Sequence, residues 1–171
     1  MLFRYLSILT VVGSFSASAQ RPIVIAPNAP RDQPATVRQQ CEWSALVRAI
    51  EPFAREAHSS YPAAKQRFLA GLPPRHVFFV TIRLTDSLDH HEQVFLAVDS
   101  IVGRRITGRI ASEITTVRGY AYGRPYAVQE ADLIDWLIAK PDGSEEGNIV
   151  GRFLDNYRPA EGTCKDPDRS I

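Results

Sequence analysis

A chain of 171 residues with 44% hydrophobic and 23% charged residues has the composition of one ordinary globular domain. Its formal net charge is +1, which falls to zero if a leader containing Arg4 is removed. Such a balance gives the chain as a whole no electrostatic reason to bind nucleic acid or an anionic membrane, and neither is predicted as a partner.

The first 19 residues have the features of a cleavable signal peptide. Arg4 supplies a positive charge, and the apolar run from Tyr5 to Phe15 is too short to span a bilayer. Ala17-Ser18-Ala19 places small residues where signal peptidase reads them, which predicts cleavage between Ala19 and Gln20. An uncleaved membrane anchor is the alternative. The sequence therefore predicts a periplasmic or secreted protein with no membrane span after cleavage.

Export changes how the two cysteines are interpreted. Cys41 lies just before the first helical pattern, and Cys164 lies near the end of the chain. In an oxidising compartment such a pair is usually a disulfide. This bridge would close almost the whole domain into one loop, and chain entropy alone gives about 4–5 kcal/mol for a loop of ~100 residues. A Cys41–Cys164 disulfide is therefore predicted.

Residues 20–38 are predicted to form an extended linker, because four prolines deny this stretch helical and ladder hydrogen bonds. A single globular domain then covers residues 39–171.

Two helices are predicted at the start of that domain. Apolar residues recur at three- and four-residue steps from Trp43 to Ala57, and Pro52 is expected to kink or break this helix. A second helix is expected to start at Ser59-Ser60-Tyr61-Pro62, where serine can cap and proline fits the first turn. Gly71 ends it.

From residue 77 the apolar period changes to two, which predicts strands. Five segments show this pattern: Val77–Leu84, Val94–Val98, Arg105–Ile110, Tyr126–Val128 and Asp135–Ala139. The last apolar segment, Ile149–Tyr157, has helical spacing but could also pair as a strand; helix is favoured.

The strands follow one another closely, with no helix-length crossover between them. This favours an antiparallel meander over a parallel sheet. The predicted fold is α+β, with N-terminal helices packed on a small, strongly curled antiparallel sheet or partial barrel.

Part of the chain, from Phe53 to Tyr157, resembles the bacterial family described as domain of unknown function 2314, the YegJ-like proteins. The residues that carry the resemblance are Phe79–Ile82, Glu92–Val98, Ile106–Ile110, Leu133–Trp136 and the Asp142-Gly143 turn. The family more often has histidine and tryptophan at the positions of Gln93 and Phe95, and asparagine-proline at Ser112-Glu113. The resemblance implies the fold and a bacterial origin, and it implies no activity.

One loop between two predicted strands is crowded with side chains that can hold a divalent cation. They are Asp86, Asp89, His90, His91 and Glu92. Adjacent histidines point in opposite directions on an extended chain, and the spacing of a helical zinc site is absent. A solvated charged loop is the favoured interpretation, and neither a metal site nor a cofactor is predicted.

Two further groups could form a binding surface. Asp135 and Trp136 could provide an acid beside an aromatic platform, or Trp136 could fill the end of the sheet while Asp135 caps a turn. Tyr120, Tyr122 and Tyr126 mark an aromatic segment between strands. It is the predicted recognition loop, and the alternative is a glycine-rich connection with ordinary tyrosines.

No catalytic motif is present, including the Gly-x-Ser-x-Gly elbow of serine hydrolases. The function predicted is therefore a non-enzymatic binding or interaction domain of the cell envelope, with an unknown protein or small molecule as its partner. The alternative is a metal-dependent or other hydrolase that uses the Asp86–Glu92 loop.

Overall fold

The structure, a computed structural model, describes residues 40–158, with side chains from Trp43 onward. The predicted signal peptide and linker lie outside the described residues. So does the predicted disulfide bond, since Cys164 lies beyond residue 158 and the side chain of Cys41 is not described. The elements in chain order are α1 (Gln40–Ala70), β1 (Val77–Thr85), β2 (His91–Val102), β3 (Arg105–Ile110), β4 (Pro125–Gln129), a 3₁₀ turn (Glu130–Asp132), β5 (Leu133–Ala139), β6 (Glu145–Gly147) and α2 (Ile149–Asn156).

The six strands form one antiparallel sheet in the order β4-β3-β2-β1-β5-β6. The α+β class and the antiparallel pairing are therefore confirmed. Only β1 to β4 form a meander, because β5 returns to pair with the other side of β1. The described sheet is open, with β4 and β6 at its edges, so the predicted near-closure into a barrel is not confirmed.

The five predicted strands are all present, and β6 is an additional one. Its sequence, Glu145-Glu146-Gly147, has no apolar residue, so a period-two pattern cannot reveal it. The strand exists because the turn at Asp142-Gly143 brings it back beside β5, where Ala139 pairs with Glu145. The final segment forms a helix, α2, as the spacing of its apolar residues favoured.

Helix α1 corrects the prediction of two helices. It continues for 31 residues with both Pro52 and Pro62 inside it. Ser59 and Ser60 do not cap a new helix, since their hydroxyls donate to the carbonyl oxygen of Glu56 within the same helix. Both prolines are exposed, so their rings do not disturb the buried stripe. Packing of that stripe offsets the helical hydrogen bonds that the prolines remove.

The main core lies between α1 and one face of the sheet. Ala57, Tyr61 and Ala64 of the helix pack with strand residues such as Phe78 and Leu96. A second cluster joins the N-terminal half of α1 to α2, where the rings of Phe53 and Phe153 stack with centroids 4.3 Å apart. A third cluster lies on the other face of the sheet.

Candidate binding surface

Trp136 is buried between the sheet and α1. Its indole nitrogen donates to the carbonyl oxygen of Ala57 (3.2 Å) and to the hydroxyl oxygen of Ser60 (3.0 Å). The side chain is 8% exposed, and its ring lies against Phe78. Trp136 therefore fixes the position of α1 on the sheet and offers no open face to a ligand.

Asp135 holds the start of α2. Its carboxylate accepts the backbone N–H of Trp136 (2.8 Å) and of Val150 (2.7 Å), and it is 1% exposed. Burial raises the pKa of Asp135 to about 6, although the backbone N–H groups oppose that shift. This carboxylate satisfies donors at the N-terminus of a helix, where negative charge is favoured.

Gly147 is required where α2 approaches β5. Its φ is +79°, and an added Cβ would lie 2.3 Å from the carbonyl oxygen of Trp136. The same oxygen accepts the backbone N–H of Asn148 at 2.7 Å. The aspartate-tryptophan step and the later glycine thus belong to one structural unit that seats α2.

A long connection, residues 111–124, joins β3 to β4 and is named here the clamped loop. Its middle is held by Glu92, which is 6% exposed. The Glu92 carboxylate accepts the backbone N–H and the hydroxyl of Thr115 (both 2.9 Å), and the N–H groups of Thr116 (2.8 Å) and Val117 (3.1 Å). Burial raises the pKa of Glu92, but these hydrogen bonds outweigh burial and lower it.

A second carboxylate, Asp86, ties the clamped loop to the β1–β2 turn. It accepts the backbone N–H of Arg118 (3.0 Å) and, within its own turn, the N–H groups of Leu88 (2.9 Å) and His90 (3.0 Å). The imidazole of His90 also contacts it, at 2.9 Å. Despite partial desolvation, these bonds hold the pKa of Asp86 well below its ordinary value.

Most of the acidic and histidine residues of the predicted charged loop, Asp86–Glu92, therefore make contacts within the fold. His91 stacks on Trp43 with ring centroids 5.1 Å apart, and Asp89 is exposed. Within residues 40–158, no group of three or more His, Cys, Asp or Glu side chains is arranged to hold a metal ion. The sequence signalled a charged loop here, but only the structure shows that Asp86 and Glu92 bind backbone amides of a distant segment.

The structure brings two of the three tyrosines together. The Tyr120 hydroxyl donates to the carbonyl oxygen of Thr85 (2.9 Å), and its ring meets that of Tyr126 edge-on at 5.9 Å. Burial, then the neighbouring Tyr120, raises the pKa of Tyr126. Tyr122 is different: it is 47% exposed and is the tyrosine of the clamped loop that faces solvent.

Basic residues concentrate around the clamped loop. Residues 103–129 contain five arginines and one acidic residue, Glu113, which gives this stretch a charge of +4. All five side chains are exposed: Arg104, Arg105, Arg109, Arg118 and Arg124. The charge of the whole chain conceals this feature, which a count over a short window of sequence would have found.

A shallow groove elsewhere, between α1 and α2, contains none of the predicted site residues. It is lined by Phe53, Glu56, Ile149, Arg152, Phe153 and Asn156 and is open to solvent. Over residues 40–158, no helix combines the length and apolar character needed to cross a bilayer.

Comparison with protein-family models, curated proteins and solved structures finds no match to this chain.

Proposed function

We propose that this protein is an exported, non-enzymatic binding domain that recognises a partner in the bacterial cell envelope through the clamped loop and β4. The observation that carries the proposal is the pair of carboxylates, Asp86 and Glu92, that fix the backbone of this loop.

The length of the clamped loop supports a role beyond connection. Strands β3 and β4 are adjacent and antiparallel, and two to five residues are enough to join such strands. This chain instead uses residues 111–124. Fixing the backbone costs about 1–2 kcal/mol per residue, so a loop of this length is ordered only where many bonds oppose that cost. Long ordered loops in compact domains are usually functional.

The use of the buried acids supports binding over catalysis. A hydrolase needs carboxylates or histidines that are free to reach a substrate or a metal ion. In the described part of the chain, Asp86, Glu92 and Asp135 all accept backbone N–H groups. Their positions fit a structural use that presents Tyr122 and the surrounding arginines to solvent.

Tyr122→Ala tests this proposal. The mature protein and the variant are immobilised and exposed to solubilised envelope proteins, and the retained proteins are quantified. We expect a partner that the wild-type protein retains and the variant loses, because a large exposed aromatic is a typical anchor of an interface. The unfolding free energy should change by less than about 0.5 kcal/mol, since the side chain is at the surface.

Leu69→Ala is the matched control, because Leu69 is 56% exposed but lies on α1. It should retain the same partner as the wild-type protein. Equal retention by the Tyr122→Ala variant, or equal loss in both variants, would count against the clamped loop as the binding surface.

Export, the Cys41–Cys164 bridge and kinship with the domain of unknown function 2314 family are part of this proposal. Intact-mass spectrometry of the protein expressed with its leader tests the first two together. We expect a chain that begins at Gln20 and is lighter by two hydrogens than its reduced form. A chain that begins at Met1 would contradict cleavage of the leader, and two free thiols would contradict the bridge.

A further inference from the structure

Strand β4 presents a free edge in the described part of the chain. It pairs with β3 on one side, and no described strand lies on its other side. The N–H of Glu130 donates to the carbonyl oxygen of Arg104. This bond shows which residues of β4 form hydrogen-bonded pairs with β3. Hydrogen-bonded pairs alternate in antiparallel sheets. The backbone N–H and C=O groups of Tyr126 and Val128 therefore also point toward β3, while those of Ala127 and Gln129 point away from the sheet.

The surroundings of this edge are strongly basic. Arg105 pairs with Gln129, and Arg109 with Pro125, so both arginines lie one strand away from the edge. Arg124 directly precedes β4. In the described chain, one ion pair joins these three arginines to an acid: Arg109 with Asp99, at 3.8 Å. The edge therefore combines outward backbone groups with exposed arginines, of which Arg105 and Arg124 have no ion pair with a described acid, while Glu130 and Asp132 follow the strand at its far end.

We infer that β4 receives an extended acidic segment of a partner protein as an additional strand. Main-chain hydrogen bonds to Ala127 and Gln129 supply the attachment, and carboxylates of the segment pair with the arginines. A strand of five residues accommodates about 17 Å of extended chain, so about five residues of the partner are involved. This inference rests on the proposed function, since it names the chemistry of the partner.

A second copy of this chain fits the edge poorly. Pairing β4 with a second β4 would set the uncharged residues Pro125–Gln129 against each other, so Arg105 and Arg109 would gain no carboxylate from that strand. An acidic segment meets the same arginines with opposite charge. The charge thus selects a heterologous partner over self-association.

The test uses the mature protein and a fluorescent peptide of about ten alternating glutamate and valine residues, long enough to cover the strand. Fluorescence anisotropy measures its affinity. A peptide with lysine in place of glutamate controls for charge. A peptide with the same glutamates but with proline at the central valines controls for strand pairing, since proline cannot donate to a ladder.

We expect the acidic peptide to bind and the other two to bind at least about tenfold more weakly. Binding should weaken with added salt, because the arginines are exposed. Arg105→Glu combined with Arg109→Glu should reduce the affinity by at least about tenfold, while Arg48→Glu, which changes an exposed arginine of α1, should leave it unchanged.

Ala127→Pro separates strand addition from simple charge attraction. The N–H of Ala127 points away from β3, so proline there removes an outward donor and no bond within the sheet. We expect loss of acidic-peptide binding with an unchanged circular dichroism spectrum. If this variant does not fold, the proline-containing peptide still decides the question on the wild-type protein.

Equal binding of the acidic peptide and its proline form would overturn the inference, as would no binding of the acidic peptide. Binding of phosphatidylglycerol vesicles in its place, or dimerisation of the mature protein through β4, would overturn it as well. If the Tyr122→Ala experiment succeeds and the acidic peptide fails, the proposed function stands and only this inference is lost.

Discussion

The pKa values of two buried acids, Glu92 and Asp135, are shifted in opposite directions in similar surroundings. Glu92 accepts four hydrogen bonds from the clamped loop, and its pKa is lowered. Asp135 also accepts backbone N–H groups, but burial dominates and its pKa is raised to about 6. The balance between desolvation and hydrogen bonding to the charged form decides each case.

Replacing Glu92 with glutamine should open the clamped loop. The amide keeps one acceptor oxygen but turns N–H donors toward backbone N–H groups, so buried donors lose their partner. We expect the unfolding free energy in urea to fall by about 1–3 kcal/mol, with faster hydrogen exchange at Thr115, Thr116 and Val117. Glu113→Gln, an exposed change in the same loop, should have neither effect, and an equal response of both variants would contradict the role of Glu92.

The titration of Asp135 should make stability depend on pH. Its pKa is about 6 in the folded protein and near the ordinary 3.8 when unfolded. The stabilisation that comes from this raised pKa is therefore fully present below about pH 3.8. It is lost as the pH rises through about 6, which lowers the free energy of unfolding by about 3 kcal/mol in total. The unfolding free energies of wild type and Asp135→Asn are measured in urea from about pH 4 to 7. We expect the wild type to lose stability relative to the variant as the pH rises. A difference that does not change with pH would contradict the raised pKa.

Among the elements, α1 shows why local sequence signals misled. Pro52 and Ser59-Ser60 are a helix breaker and a helix cap by their local chemistry. The apolar stripe on either side of them packs on one continuous surface, made by the sheet and α2. Tertiary packing therefore overrides local preference, which a pattern read along the chain cannot weigh.

The exposed Pro52 should be a site where helix stability can be raised. Pro52→Ala restores a backbone donor and removes the clash with the preceding turn. The more flexible unfolded chain offsets part of that gain. We expect a net increase of about 1–2 kcal/mol in the unfolding free energy. Pro74→Ala, in the loop after α1, is the control and should show no gain; a loss at Pro52 would mean that α1 needs its proline to fit the sheet.

Strand centres could be predicted and strand neighbours could not. β1, β3 and β5 show clear apolar patterns, and their positions follow from the sequence to within two residues at their ends. The pairing of β5 with β1 depends on which faces can be buried together. The contacts of Asp86 and Glu92 with the clamped loop were hidden as well. Those partners lie more than twenty residues away and carry no side-chain signal, since most are backbone amides.

For the molecule as a whole, the class of fold followed from the sequence and the shape of the sheet did not. Closely spaced strands correctly indicated antiparallel pairing. Closure into a barrel needs the first and last strands to meet, and here β4 and β6 remain at opposite edges. The distribution of charge was likewise not evident from the total: the chain carries +1, while residues 103–129 carry +4.

The late arrival of β5 has a consequence for how the polypeptide matures. Phe78 and Val80 of β1 pair with Ile138 and Trp136, more than fifty residues further along. While the chain is being synthesised, the first four strands can assemble, yet β1 keeps one unpaired, apolar edge until residue 139 has been added. During that interval the incomplete sheet is open to intermolecular association, so protection of this edge matters most just before β5 is complete.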